Sequence, residues 1–312
     1  MHPRSFCLLL MALATPAIGL EQSFVGRWDL TITSGAAQYP SWLEVSREGD
    51  KYAGRFVGRG GSARPAEVEV TGGEIRFAPT RPARAKAEVR GDSYRGRLVG
   101  GRLEGDGVDN QGQPIRWVAA RVERPAARAG QPRWGQPISL FNGRDLEGWD
   151  FRNPRGRECW SVADGVLVNI PPCPNIFTGR QFRDFKLRVE YNLDSGSNSG
   201  VYLRGRYEVQ IADQGTRELD SHGVGAIYGF LTPSVKAAKP AGEWQTFDIT
   251  LVGYHVTVVF NGRKIIDNRE IDGVTGGALD SHEAEPGPIM LQGDHGRVRF
   301  RNILITPAEG AP

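Results

Sequence analysis

The sequence predicts an all-β protein in two units. Three observations carry this. Helical periodicity is nearly absent, and short runs of alternating apolar and polar residues recur along the chain. The 41 glycines and 20 prolines fall between those runs as turn signals. A length of 312 residues suits two domains of ordinary size.

Residues 1–19 stand apart from both units. MHPRSFCLLLMALATPAIG carries Arg4, an apolar run from Phe6 to Leu13, and Ala17 and Gly19 in a small-x-small cleavage pattern. That predicts an export signal, with a periplasmic or secreted product. Cys7 lies too early for a lipoprotein cysteine. No later stretch approaches the ~20 apolar residues that a membrane helix needs, so no span is expected.

Residues 20–123 read as the first unit. Its strands are FVGRWDLTI, SWLEVSRE, KYAGRFVG, AEVEVTGGEIRFAP, SYRGRLVGGRLEGDGV and IRWVAARV, joined by short Gly-rich turns. Consecutive antiparallel strands of this kind form a meander that closes as a small barrel or sandwich. The strand–Gly–strand rhythm is lipocalin-like, and no cluster here looks like a reacting site. Residues 124–137 are rich in Pro, Ala and Gly and read as an extended linker.

Residues 138–307 form the second unit, with 308–312 as a tail. SLFNGRDLEGWDF and CWSVADGVLV open it, and FRDFKLRVEYNL follows, alternating throughout. A long Gly-, Ser- and Pro-containing loop spans 214–242. Loops of that length are usually functional or disordered, and this one reads as a lid or rim. EWQTFDITLVGYHVTVVFNGRKIID then gives two strands and an Asn261-Gly262 turn, the strongest hairpin signal in the chain. VRFRNILI closes the unit. About a dozen strands with long loops on one side predict a two-sheet jelly roll.

Charge is nearly balanced, with 39 basic against 36 acidic residues. Arg84–Arg90 and Arg95–Arg102 read as polar strand faces and turns. No aromatic residues interleave with them, so no nucleic-acid partner is expected. Cys159 and Cys173 follow the signal, and an oxidising compartment permits a bridge between them. A bridge and two separate buried thiols both stay open.

The stretch SNSGVYLRGRYEVQIAD, residues 197–213, reads as two strands around a Gly-Arg turn. Alternation places Val201, Leu203, Val209 and Ile211 on one face and Tyr202, Arg204, Glu208 and Gln210 on the other. The polar face is either the wet side of a sheet or the floor of a site.

Seven motifs bear on that choice. FNGRDLEGWDF, CWSVADGVLV, SNSGVYLRGRYEVQIAD, GAIYG, PAGEWQTFDIT, VFNGRKIIDN and PGPIMLQGDHGRVRFRNILI occur in this order. Together they resemble the 3-keto-disaccharide hydrolase domain, long catalogued as a bacterial domain of unknown function, over roughly residues 138–307. The resemblance implies a concanavalin-like, laminarinase-type jelly roll acting on glycosides whose sugar carries a ketone at C3. It says little about residues 20–137.

On that footing Glu208, His295, Arg204 and Asp213 are the catalytic candidates. Gln210, Gln292, Tyr228, Lys239 and Tyr202 are the substrate-binding candidates. Glu208-x-Gln210-x-x-Asp213 is similar to the acid-x-Asp-x-x-acid strand of laminarinase-type glycosidases, with an amide replacing the middle acid. Retaining hydrolysis needs two carboxyl groups ~5 Å apart, and only a bulge would bring Glu208 and Asp213 onto one face. Asp294 and His295 are adjacent, and adjacent side chains seldom face each other. His295 can move a proton near neutral pH.

A ketone at C3 acidifies the hydrogen on C2, so the implied chemistry is proton abstraction, elimination of the C1 group and hydration. Glu208 or His295 is the base. Arg204 with Lys239, or a metal ion, holds O3, while Asp213 or Tyr228 serves the leaving group. No compact metal motif occurs, and a divalent ion assembled from distant loops stays open. No Gly-rich nucleotide loop follows a strand, so oxidation to the ketone falls to a separate sugar 3-dehydrogenase. A non-catalytic glycan-binding jelly roll is the rival reading.

Overall fold

A computed structural model of the chain describes residues 23–80, 91–122, 124, 132–215 and 217–310. The export signal, the Arg84–Arg90 segment and linker residues 125–131 lie outside the described residues.

Eight strands form the first unit: β1 (Gly26–Ser34), β2 (Ala37–Glu48), β3 (Lys51–Val57), β4 (Arg64–Thr71), β5 (Glu74–Pro79), β6 (Ser93–Val99), β7 (Arg102–Val108) and β8 (Pro114–Arg121). They pair in chain order, and β8 returns to β1, closing a barrel. Closure leaves no free sheet edge. Inward residues pack as one core around Trp28, Phe56, Phe77, Tyr94 and Trp117. Gly96 and Gly105 lie under the Trp117 indole, where any Cβ would collide with it. The interior is therefore filled with aromatic side chains.

Thirteen shorter strands build the second unit. They begin with β9 (Ile138–Ser139), β10 (Trp149–Phe151), β11 (Trp160–Ala163), β12 (Val166–Asn169) and β13 (Ile176–Thr178). β14 (Phe185–Leu193), β15 (Asn198–Leu203), β16 (Tyr207–Ala212) and β17 (Gln245–Val252) come next. β18 (His255–Phe260), β19 (Arg263–Glu270), β20 (Met290–Leu291) and β21 (Val298–Pro307) complete it. One sheet runs β10-β13-β20-β15-β16, and the other runs β11-β12-β21-β14-β17-β18-β19 with β9 alongside β21. The core between them takes the alternate apolar residues of both sheets, including Val201, Leu203, Val209 and Ile211. Trp149 and Trp160 are buried in it, whereas Trp244 lies at the surface beneath the Arg301 guanidinium.

Cys159 and Cys173 form a disulfide, which settles that alternative. Residues 217–242 of the long loop fold back onto the edge strand. Gln210 and Glu208 exchange backbone hydrogen bonds with Gly225, Ala226 and Tyr228, so the exposed edge of β16 is covered.

Candidate active site on the five-stranded sheet

The register of the five strands assembles two rows of side chains on the face away from the core. One row runs Asp150, Phe177, Met290, Tyr202, Glu208. The next runs Arg152, Asn175, Gln292, Gly200, Gln210: β15 pairs Gly200 with Gln210, and backbone hydrogen bonds join Gln292 to Gly200 and Arg152 to Asn175. Five strands from separate parts of the chain thus contribute one polar band.

Glu208 is the central group. It is buried, and its carboxyl leans over Gly200, where a Cβ would come within 2.7 Å of its Cγ and collide with its Oε1. Glycine at 200 is what gives the carboxyl its place. Removal from water pushes Glu208 up to about 8, against the pull of the Tyr202 hydroxyl, and the negative charge of Asp294 raises it further. A carboxyl of that affinity can take a proton near neutral pH.

Three loops surround it. Tyr202 donates its hydroxyl to the Gly276 carbonyl at 2.9 Å, so the irregular segment 271–285 crosses this face as a strap. The Arg152 guanidinium reaches the same strap, at the Gly277 carbonyl (3.0 Å). From the long loop, Tyr228 binds the Glu208 carbonyl through its backbone N–H and packs edge-on against His222, ring centres 5.1 Å apart. Burial and the nearby Glu208 charge raise its phenol. From the loop after β20, His295 Nδ1 lies 2.6 Å from Asp294 Oδ1. The two neighbours do face each other, in a loop whose flanking glycines, 293 and 296, sit too close to Cys173 and to Ser197–Asn198 to carry a Cβ. The Gln292 side-chain oxygen, Oε1, is buried without a partner.

The structure therefore brings together Glu208, Tyr202, Gln210, Gln292, Tyr228 and the Asp294–His295 pair. It does not bring Arg204, Asp213 or Lys239 to them. Arg204 belongs to the hairpin turn, with φ +53°, so strand alternation no longer applies to it. Its buried guanidinium binds Asp184 (3.1 Å) and the carbonyls of Arg183 and Gly253. Asp213 follows β16 and holds the preceding turn through Gly196 N–H (2.9 Å) and Ser195 Oγ. No bulge interrupts β16, so the carboxyl pair for retaining hydrolysis is not formed by Glu208 and Asp213. Lys239 is tied to Gln245 and the Trp244 carbonyl, beside β17 of the other sheet.

Arg152 and Asn175 belong to the polar band and were missed in the sequence. The only signal was their position just after and just before short strands that pair out of chain order. Among the described residues, no group of three or more His, Cys, Asp or Glu side chains is arranged to hold a metal ion. A cavity of about 420 Å³ opens at the β10–β13 end of the sheet between Asp150, Phe177, His282 and Glu285.

The family model for a 3-keto-alpha-glucoside-1,2-lyase-like domain matches residues 136–306, just over half of the chain. Among solved structures, a candidate glycosyl hydrolase from Parabacteroides distasonis ATCC 8503 is 28% identical, with a TM-score of 0.47 over 59% of this chain and 93% of that one. Another from the same organism is 30% identical, with a TM-score of 0.43 over 55% and 98%. The carbohydrate-binding module CBM66 from Bacillus subtilis is 13% identical, with a TM-score of 0.37 over 51% and 94%. No curated protein matches the chain.

Proposed function

The chain belongs to the 3-keto-alpha-glucoside-1,2-lyase-like domain family, and from that premise we propose that it cleaves glycosides carrying a ketone at C3, with Glu208 as the base. Its domain is that of a carbohydrate-active protein. The observation that carries the reading is a buried carboxyl, raised to about 8 and seated over Gly200 in a polar band.

Ionised Glu208 removes the hydrogen on C2. The electron pair moves into the C2–C3 bond and onto O3, giving an enolate. As the enolate collapses, the C1–O bond breaks and the leaving oxygen takes a proton from the Tyr228 hydroxyl. Water then adds to C1 of the enone, its released proton passing to the Tyr228 phenolate, while the Glu208 proton returns to C2, which gives net hydrolysis and restores both residues. The Asp294–His295 pair is the second proton-transfer group and orients that water. Gln210 and Gln292 position the ring. Charge on O3 needs donors, and Arg152 is the cation of the band that can supply them in place of Arg204 and Lys239. A divalent ion, if bound, would supply the same stabilisation, but among the described residues no three His, Cys, Asp or Glu side chains are grouped to hold one.

The substrate requires a prior oxidation at C3, so a sugar 3-dehydrogenase belongs upstream. We read the chain as exported, and the Cys159–Cys173 bridge is consistent with an oxidising compartment.

The test is a product assay of the purified chain on a 3-keto-glucoside and its unoxidised parent, with and without chelator. Release from the keto sugar alone is the expected result. Release from neither, with thermal stabilisation by a glycan, would make the polar band a recognition surface instead.

A further inference from the structure

The barrel lies outside the family match, yet it is packed against the segment that covers the site. Strap residues 271–285 run between the two units. Asp272 is held by two barrel arginines, one on each carboxylate oxygen: Arg27 at 2.9 Å and Arg55 at 2.7 Å. Trp42 projects from the outer face of β2, not into the barrel core. It forms a separate apolar joint with Val57, Val274 and Ala278, and meets Phe230 edge-on at 5.4 Å.

Three glycines show how close the fit is. Gly273 lies beneath the Trp42 indole, Gly276 against the backbone of Gly61, and Gly229 against Ser62, where a Cβ would come within 2.6 Å of the serine Cβ. Side chains at these positions would drive the units apart. Gly61 and Ser62 are in the turn between β3 and β4. That turn therefore touches both the strap residue whose carbonyl binds Tyr202 and the neighbour of Tyr228.

We propose that the barrel is the positioning element of the site: its outer face clamps the strap, and so keeps the Gly276 carbonyl on Tyr202 and water away from Glu208. This rests on the functional reading above only for its consequence in turnover. The groups facing Glu208 are Tyr202 from β15, Tyr228 from the long loop and Asp294 from the loop after β20. The hydroxyl of Tyr202 is the one whose commitment the strap controls. That hydroxyl is shared between the Gly276 carbonyl and the Glu208 carboxyl; when the strap loosens, the carbonyl no longer competes for it and water enters beside Glu208. Both effects favour the ionised form.

The experiment uses the full chain with Trp42→Ala and, because the first substitution removes a buried indole, Asp272→Asn as a milder second variant. Carbon-13 NMR follows the side-chain carboxyl of Glu208, assigned by its loss in Glu208→Gln. Amide exchange follows residues 273–279, and a pH–rate profile is taken on a 3-keto-glucoside. The expected result is a fall of about one pH unit or more in the Glu208 midpoint. Strap exchange should be at least about tenfold faster, while exchange in the barrel strands stays as in the parent. A Glu208 midpoint equal to the parent's in both variants overturns the proposal, as does unchanged strap exchange. If the parent chain turns over no keto sugar, the functional reading fails, and the NMR titration still decides whether the barrel positions the strap.

Discussion

Replacing Glu208 with Gln should stabilise the folded chain relative to the parent, increasingly as pH rises from about 5 to about 9. The ordinary carboxyl value is 4.5, and the folded value is about 8. Because the folded affinity is raised, the folded state holds a proton that the unfolded chain has already released. Stability from this group is fully present below pH 4.5 and is lost as pH rises through about 8. Each pH unit of difference is about 1.4 kcal/mol, so the ceiling is on the order of 5 kcal/mol. Between pH 5 and pH 9 the loss is about 4 kcal/mol. Gln keeps the shape and removes the titration. Other titrating groups are common to parent and variant and cancel in the comparison. Urea unfolding of both proteins at pH 5, 7 and 9 measures this directly. The stability difference should grow with pH in favour of Gln, and cleavage of the keto sugar should vanish at every pH. A difference independent of pH would refute the argument, since it would mean that Glu208 is not held in its neutral form by burial.

Further predictions concern neighbouring groups. Cleavage by the parent should rise with pH through about 8 as Glu208 ionises, read as a single rising limb in kcat/KM. Gly200→Ala should cut kcat by about tenfold or more, because the new Cβ collides with the Glu208 carboxyl; unchanged turnover would remove that carboxyl from the chemistry. Arg204→Ala should destabilise the fold by about 3–5 kcal/mol, since it leaves Asp184 buried beside the lost guanidinium; in denaturation and kinetic assays the surviving folded protein should keep its kcat. Asp29 and Glu283 are buried together between barrel and strap, and burial raises them to about 9 and about 7. Their contribution is fully present only below the ordinary carboxyl values of 3.8 and 4.5 and falls as pH rises toward the raised ones, so Asp29→Asn should raise the melting temperature relative to the parent by more at pH 9 than at pH 6.

Much of the fold is written locally. The strict alternation of FKLRVEYNL, the Asn261-Gly262 turn and the Gly-spaced strands of the first unit correspond to β14, the β18–β19 hairpin and the barrel. The face carrying Tyr202, Glu208 and Gln210 was legible for the same reason. Arg204 was misplaced because alternation holds only while φ and ψ stay extended, and the chain turns at that residue. Arg152 and Asn175 were illegible for a different reason. Their row exists only through the strand order β10-β13-β20-β15-β16, which no short-range pattern encodes. The strap has neither period nor motif. Its place over Tyr202 depends on the barrel face that holds it, and that face is an arrangement of Trp42, Arg27 and Arg55 on strands whose sequence looks merely amphipathic.

The Cys159–Cys173 bridge bears on how the protein should be prepared. Cys173 lies against the turn that begins the Asp294–His295 loop: its N–H binds the Gly293 carbonyl, and its own carbonyl would be 2.6 Å from a Cβ at 293. Asn169, at the end of β12, ties the same turn at Gly293 and Gly296. The covalent link thus underpins the loop that carries Asp294 and His295. Protein made in a reducing bacterial cytosol would carry the loop on an unfastened support. Its low activity would then be a fault of the preparation, and reoxidation before assay would restore it.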